Sequence, residues 1–458
     1  MKSCNATSPA PKEGKPLLLQ DEGILNNHDV AVEKFTNSEQ EFPAEIRTEV
    51  KAPPLRKSFA WTLAGNLVYA GCQWGMLSVL AKMGSPSVVG QFALGLAITA
   101  PVFMLTNLQL RAAQATDAKS EYEFGHYFTL RLIASLLGIG VVAGIALWSR
   151  YERTTAAVVM LVGVAKAVES MSDVANGLQQ KHERLDQVAI GLMLKGIVSV
   201  TAFTTVYRMS HRLTSAVVAL VFSWAAVTLF YDLRLASRLE GSVRRFFSAD
   251  WGKIVRLVVL SAPLGLVMAM ISLNINIPRY TIEKQLGHRE LGIFAAMAYL
   301  VTAAGLIVSA LGQSAAARLS RMFATGDLNG FKSLLWKLLL VGGSLGIVGF
   351  PVTLMMGQKI LTLLYTQEYA NHLHTLLIMV ATVSISAIAS FQGYGMTAAR
   401  RFKAQVPIIV TMTISTATLS LLLVPRFGLN GAAIALLCSA SIQAIGSAIV
   451  LRSALKAR

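Results

Sequence analysis

The chain has 458 residues, 54% of them hydrophobic and only 14% charged, with a mean hydropathy of +0.55. Soluble proteins carry about 25% charged residues, so this composition excludes a soluble enzyme in practice. Three cysteines (Cys4, Cys72 and Cys438) exclude a disulfide framework or a Cys-rich zinc site, and the formal charge of +17 reads as basic loops beside membrane spans rather than a nucleic-acid surface, because no basic patch interleaved with aromatics stands outside the loops.

Residues 1–57 are polar, with 8 Lys+Arg against 9 Asp+Glu. They lack the apolar core of a signal peptide and are expected to form a disordered tail. From Ser58 onward, apolar blocks of about 20 residues alternate with short polar breaks, the length a membrane helix needs. The spacing predicts twelve spans: roughly 58–81, 87–110, 127–148, 154–178, 188–208, 213–235, 254–280, 291–316, 332–357, 374–398, 404–424 and 430–451. The predicted architecture is an all-α integral membrane protein of two pseudo-symmetric six-helix lobes, 58–240 and 254–458, joined by a basic linker, 241–253. An even number of spans puts both termini on one side. Breaks after even-numbered spans, with the C-terminal end, hold 18 Lys+Arg and the others 10, which places both termini in the cytoplasm. Val89-Gly90-Gln91-Phe92-Ala93 opens the second span and Leu291-Gly292-Ile293-Phe294-Ala295 the eighth. That repeat implies parallel halves about an axis along the membrane normal, an arrangement that leaves a substrate site between them.

In chain order, the first span carries Asn66, Tyr69 and Gln73 at i, i+3 and i+7, a face suited either to sugar hydroxyls or to helix–helix contact. Trp61 and Trp74 are expected at the membrane interfaces. The second span has Pro101, then Asn107, Arg111 and Gln114; the third opens with Arg131. Both arginines suit an anion or a positive-inside anchor. On the fourth span Lys166, Glu169 and Asp173 share one helical face, extended by Asn176 and Gln180. Lys166 and Glu169 can form an internal ion pair, but Asp173 then needs a partner, and Lys195 on the fifth span is the candidate. The seventh span puts Arg256, Pro263 and Asn274 on one face and continues through Asn276-Ile277-Pro278-Arg279. Its two prolines each remove a backbone donor and suggest a broken helix beside a polar cavity.

Ionisable groups inside spans are costly, roughly 2.5–3.5 kcal/mol each on insertion scales. Arg131, Lys166, Lys195, Arg256 and Lys337 oppose Glu169 and Asp173, an excess of three positive charges. A cavity lined this way favours an anion. The expected substrate-binding residues are Lys166, Lys195, Arg256, Arg111, Arg131, Asn66, Gln73, Asn274 and Arg279. Glu169 and Asp173 are the expected proton- or ion-coupling groups. There is no Gly-Lys-Ser/Thr phosphate loop and no His-Glu-x-x-His motif. His372 and His374 have no carboxylate or cysteine cluster to complete a metal site. A carrier is therefore expected rather than an enzyme, with no cofactor and no metal.

Four stretches carry a family resemblance. The first is Leu110-Arg111 through Asp117, with Phe124-Gly125-His126-Tyr127 and Leu130-Arg131-Leu132. The second is Lys166 through Asp173 with Gly177 and Gln180-Lys181-His182-Glu183-Arg184-Leu185-Asp186. The third is Pro263-Leu264-Gly265, Asn276-Ile277-Pro278-Arg279-Tyr280 and Leu291-Gly292-Ile293-Phe294. The fourth is Tyr394-Gly395-Met396-Thr397-Ala398-Ala399-Arg400-Arg401-Phe402. Together the sequence resembles the polysaccharide transporters, the O-antigen and capsule oligosaccharide flippases, of the multidrug/oligosaccharidyl-lipid/polysaccharide exporter superfamily. The tail lies outside the likeness. The resemblance implies two lobes, alternating access, a cationic lumen and a bacterial cytoplasmic (inner) membrane location. It implies a polyprenyl-pyrophosphate-linked glycan as substrate and, as partners, membrane lipid with polysaccharide polymerase and export proteins. The glycan comes from the resemblance alone. A drug or cation antiporter of the same superfamily and a non-transporting scaffold for glycan enzymes stand as alternatives.

Overall fold

The computed structural model describes residues 55–117, 120–248 and 250–456, and every long element in them is helical. The predicted tail lies outside the described residues but for 55–57, which begin the first helix. The N-terminal lobe comprises α1 (Leu55–Met83), α2 (Pro86–Thr106), the short α3 (Leu110–Thr116), α4 (Phe124–Trp148), α5 (Arg153–Lys181), α6 (Leu185–Ser210), α7 (Leu213–Val227), a π-helical turn (Thr228–Asp232) and α8 (Leu233–Glu240). The C-terminal lobe comprises α9 (Trp251–Leu286), α10 (His288–Thr325), α11 (Leu328–Leu364), the single turn α12 (Gln367–Ala370), α13 (Leu373–Ala398) and α14 (Phe402–Lys456).

Among the described residues nine helices are long and apolar enough to cross a membrane, and ten if α10, bent by 41° between its halves, is one span. The predicted first span falls on α1, whose Asn66 and Gln73 lower its hydropathy. The predicted eleventh and twelfth share α14, which is two helices meeting at a non-helical Gly428. All twelve predicted spans therefore fall on helix, the second with a break inside it. The outward faces are apolar and uncovered, as at Leu147, Met209, Ile347 and Met355, the surface hydrocarbon rather than water would cover.

Two predicted interruptions are corrected. α9 runs unbroken through both Pro263 and Pro278. The break lies instead in the second span, which stops at Thr106 and resumes at Leu110. Leu108 and Gln109 both take positive φ there, near 50°, a conformation that costs side-chain-bearing residues about 1–3 kcal/mol and persists only where surroundings impose it. Gly265 of α9 leaves room for it: a Cβ there would come within 2.9 Å of the Leu105 carbonyl oxygen and 3.1 Å of Leu108 Cα.

The lobes meet through α2, which packs against both α9 and α10. The repeat glycines mark the closest approach. A Cβ on Gly90 would collide with the His288 carbonyl oxygen, and one on Gly292 with the Pro86 carbonyl oxygen. Phe92 and Phe294, two residues on in each copy, are buried in the same core. The tyrosines of the C-terminal lobe fasten this end: the Tyr280 hydroxyl donates to the Ala97 carbonyl, and the Tyr365 hydroxyl donates to Ala296 while accepting from Trp74 Nε1 at 2.9 Å.

At the opposite end, the turn after α3 is held by Asp117. Its carboxylate accepts from the Glu121 and Tyr122 amides at 3.0 and 3.2 Å and faces Lys181 at 3.7 Å. Burial pushes the carboxyl upward, but those two amides and Lys181 outweigh it and hold it below the usual aspartate range. A depressed carboxyl stabilises the fold above its unfolded value, about 3.9, and the contribution is lost as pH falls through the folded value. Amide protection at Glu121 and Tyr122, read by hydrogen exchange against Asp117→Asn, is expected to stay level from pH 7 to 5 and to collapse below about pH 4. A steady decline beginning near neutrality would contradict this.

Candidate functional site

The site grows from one face of α5. Lys166, Glu169 and Asp173 are spaced at i, i+3 and i+7, so a regular helix sets them in one row. Lys166 Nζ reaches Glu169 Oε2 at 2.7 Å, and the Tyr69 hydroxyl donates to Glu169 Oε1 at 2.6 Å. The Lys166 ammonium also lies 5.5 Å from the centre of the Trp224 ring, a favourable cation–π distance. Asp173 gathers two cations: Arg111 Nη1 at 3.4 Å and Arg131 Nη2 at 3.1 Å. Arg111 Nε donates to Gln180 Oε1 at 3.1 Å. Arg131 is wholly buried, with Asp173 as its carboxylate partner.

This row walls two cavities. One, of about 510 Å³, lies inside the N-terminal lobe between the broken second span, α5 and α6, with Asn107, Gln109, Arg111, Asp173, Asn176 and Lys195 on its lining. The other, of about 580 Å³, lies between the lobes and is lined by Tyr69, Gln73 and Trp74 of α1 and Tyr299 and Thr302 of α10. Lys166 and Glu169 line both. Their internal pairing and their cavity-facing position therefore coexist. Trp74, expected at an interface, is part of the inter-lobe wall instead.

The structure places the remaining expected residues unevenly. Lys195 is buried and pairs with Asp232 Oδ2 at 3.3 Å, not with Asp173. Arg279 stands in the C-terminal lobe; its Nη1 donates to Asn276 Oδ1 at 3.0 Å and its guanidinium lies 6.0 Å from the centre of the Tyr299 ring. Asn274 Oδ1 accepts from Thr416 at 2.6 Å and Ser439 at 3.2 Å, tying α9 to both halves of α14. Asn66 is exposed and donates to the Thr62 carbonyl on its own helix. Arg256 lies apart from both cavities: it is exposed, and its Nε donates to the Gly252 carbonyl at 3.3 Å. Lys337 is exposed as well.

Asp232 is the residue that sequence reasoning missed. It sits near the end of an apolar block, where a carboxylate reads as an interface residue. The π-helical turn that carries it, a feature frequent at functional sites, has no simple sequence signature. The interior balance changes accordingly. Arg111, Arg131, Lys166, Lys195 and Arg279 now oppose Glu169, Asp173 and Asp232, so two positive charges remain, and Arg279 has no carboxylate in contact among the described residues. An interior of this kind can accept a multiply charged anion from the cavity side while neutral amides and hydroxyls offer hydrogen bonds around it.

Comparison with known proteins gives three kinds of likeness. The profile of the polysaccharide biosynthesis protein family matches residues 55–323. The capsular polysaccharide biosynthesis protein CapF of Staphylococcus aureus is 26% identical over 388 residues, covering 84% of this chain and 96% of its own. Among solved structures, the Vibrio cholerae MATE transporter VcmN superposes with a TM-score of 0.61 at 12% identity, over 88% of this chain and 96% of its own. A MOP superfamily transporter of Pyrococcus furiosus, reported with a binding pocket of reverse polarity, gives 0.61 at 11% identity over 88% and 95%. The structural likenesses establish the fold, an arrangement of twelve helices in two lobes.

Proposed function

The chain belongs to the polysaccharide biosynthesis protein family, and from that membership we propose that it is a flippase for polyprenyl-pyrophosphate-linked oligosaccharide in the bacterial cytoplasmic membrane. It serves assembly of a surface polysaccharide, and its termini lie in the cytoplasm. The observation that carries the reading is the excess of two interior cations, with no carboxylate in contact with Arg279 among the described residues.

Hydrocarbon cannot solvate a sugar-bearing pyrophosphate, so spontaneous crossing is negligible. Lys166, Arg111 and Arg279 attract the pyrophosphate, with Lys195 on the lining of the 510 Å³ cavity and Arg131 behind its wall. Gln73 lines the inter-lobe cavity and offers an amide to sugar hydroxyls. The polyprenyl chain stays in lipid. Glu169 and Asp173 set how strongly Lys166, Arg111 and Arg131 are held back, and they are the carboxylates through which protons or cations bear on transport. Closure at Gly90 and Gly292 corresponds to a cavity open toward the cytoplasm. Rocking of the lobes then exposes the head outside, helped by the inside-negative potential by about 2.3 kcal/mol per charge per 100 mV.

Deleting the gene and extracting polyprenyl lipids tests this directly. Pyrophosphate-linked oligosaccharide is expected to accumulate facing the cytoplasm while surface polysaccharide is lost. Restoring the gene as Lys166→Glu is expected to leave surface polysaccharide at least about tenfold below wild type, because two like charges then face the anion. Normal surface polymer from a stably inserted Lys166→Glu protein would remove the anion role of the cavity. A drug or cation exporter would instead give unchanged lipids in the deletion and altered drug sensitivity.

A further inference from the structure

One buried ion pair holds a carboxylate that the transport scheme above does not use. Lys195 of α6 and Asp232 of the π-helical turn are 2% and 1% exposed, 3.3 Å apart. Ser172 of α5 joins them: it donates to Asp232 Oδ2 and accepts from Lys195 Nζ. Ser172 and Lys195 both line the 510 Å³ cavity, whereas Asp232 does not. The lysine therefore stands at the boundary, with a carboxylate behind it and the cavity in front. The second carboxylate oxygen, Oδ1, has no partner among the described residues and lies where a side chain on Gly191 would otherwise be.

A buried ion pair is poised rather than inert. The desolvation cost of the two charges roughly balances their attraction, so a competing anion can redirect the cation. An isolated carboxylate in such a place cannot remain charged cheaply and takes up a proton instead. We propose that Lys195 is a two-position cation, held by Asp232 when the cavity is empty and turned toward the anion when it is filled, and that Asp232 takes up one proton from solvent on Oδ1 as Lys195 leaves it. The ammonium keeps its own proton throughout. The inference rests on the anion-cavity reading and adds to it a linkage between anion occupancy and protons.

The other charged and titratable groups around Asp232 are already engaged or farther off. On α5, Glu169 is held by Lys166 and Asp173 by Arg111 and Arg131. At the start of α6, Arg184 pairs with Asp186. Tyr231, on the π turn itself, donates to the Gln187 carbonyl. Arg234 on α8 is exposed. Among the described residues Lys195 is thus the cation whose departure leaves Asp232 without compensation.

The sign follows from linkage. If anion binding takes up a proton, lower pH strengthens anion binding, by up to about tenfold in Kd per pH unit where the group titrates. The test uses the full chain in lipid nanodiscs and inorganic pyrophosphate as probe, with binding calorimetry in two buffers of different ionisation enthalpy between pH 5.5 and 8. Pyrophosphate titrates too, but equally for every variant, so the difference between variants isolates the protein. Wild type is expected to take up about one proton more per bound pyrophosphate than Asp232→Asn. Asp232→Asn binds the probe more tightly near neutral pH, since Lys195 is already free. The doubly neutral Asp232→Asn/Lys195→Gln chain carries the same comparison without an unpaired buried charge. It should bind more weakly than wild type, without the extra proton. Equal proton counts in wild type and both variants would overturn the two-position lysine while leaving the anion cavity standing. Failure of wild type to bind pyrophosphate at any pH would overturn both.

Discussion

A Gly292→Val chain is expected to lose the closed end of the lobe interface and, with it, transport. The contact in question is between backbones: a Cβ on Gly292 would collide with the Pro86 carbonyl oxygen and come within 2.8 Å of the Gly90 nitrogen. Carbonyls inside helices cannot swing aside as a flexible side chain can, so α2 and α10 must separate. Overpacking of this sort costs up to about 3 kcal/mol even where side chains can yield, which is more than a hundredfold in the closed population. The damage is confined to one conformation, because Gly292 meets no such neighbour once the helices part. The chain should therefore insert and fold, yet stand open at this end. On the topology proposed above this end faces outside, so an impermeant thiol reagent applied there should label a cysteine introduced at Ala97, on the wall that Tyr280 closes, far faster in the Gly292→Val background than in the parent. Slow labelling together with normal surface polysaccharide would show that the glycine contact is not what closes this end.

The second large effect is on stability. Asp173→Ala removes the carboxylate that compensates Arg131, whose side chain is 0% exposed and whose Nε and Nη1 have no hydrogen-bond partner among the described residues. Breaking a buried pair from one side costs about 3–5 kcal/mol, because the remaining charge stays buried and unanswered. Asp173 is itself about one-third exposed, so the lower part of that range is expected. Arg111 is partly exposed too and can rehydrate. Thermal unfolding in nanodiscs should show a marked loss for Asp173→Ala and recovery of most of it when Arg131→Met is added. An equal loss in the Arg131→Met background would mean that Asp173 matters for some reason other than this arginine.

Much of the architecture was legible because apolar length and short polar breaks report directly on membrane spans. The repeat around Gly90 and Gly292 was legible too, and its physical meaning is that each glycine admits the backbone of the other half. The interruptions were not legible. Pro263 and Pro278 signalled a break that α9 does not have, since one missing donor can be accommodated within a packed membrane helix. Leu108 and Gln109 gave no signal of the break that does exist, because the room for it comes from Gly265, over 150 residues later in the chain. In the site, the i, i+3, i+7 row on α5 was readable from spacing. Its partners were not, because pairing across helices depends on rotation about each helix axis. Asp232, on a π-helical turn, meets Lys195, while Asp173, on the regular helix α5, meets the two arginines.

The order in which these partners occur along the chain bears on how the protein enters its membrane. Asp173 emerges from the ribosome after Arg111 and Arg131, so its counter-charges are already in place. Lys166 and Glu169 arrive on a single helix and can enter as a neutral unit. Lys195 alone must wait for a carboxylate, and Asp232 comes on the very next span, across the short turn at His211 and Arg212. α6 and the helix after it are thus suited to insertion as a hairpin. The ionic interior of the N-terminal lobe can then be completed before any of the C-terminal lobe has been made.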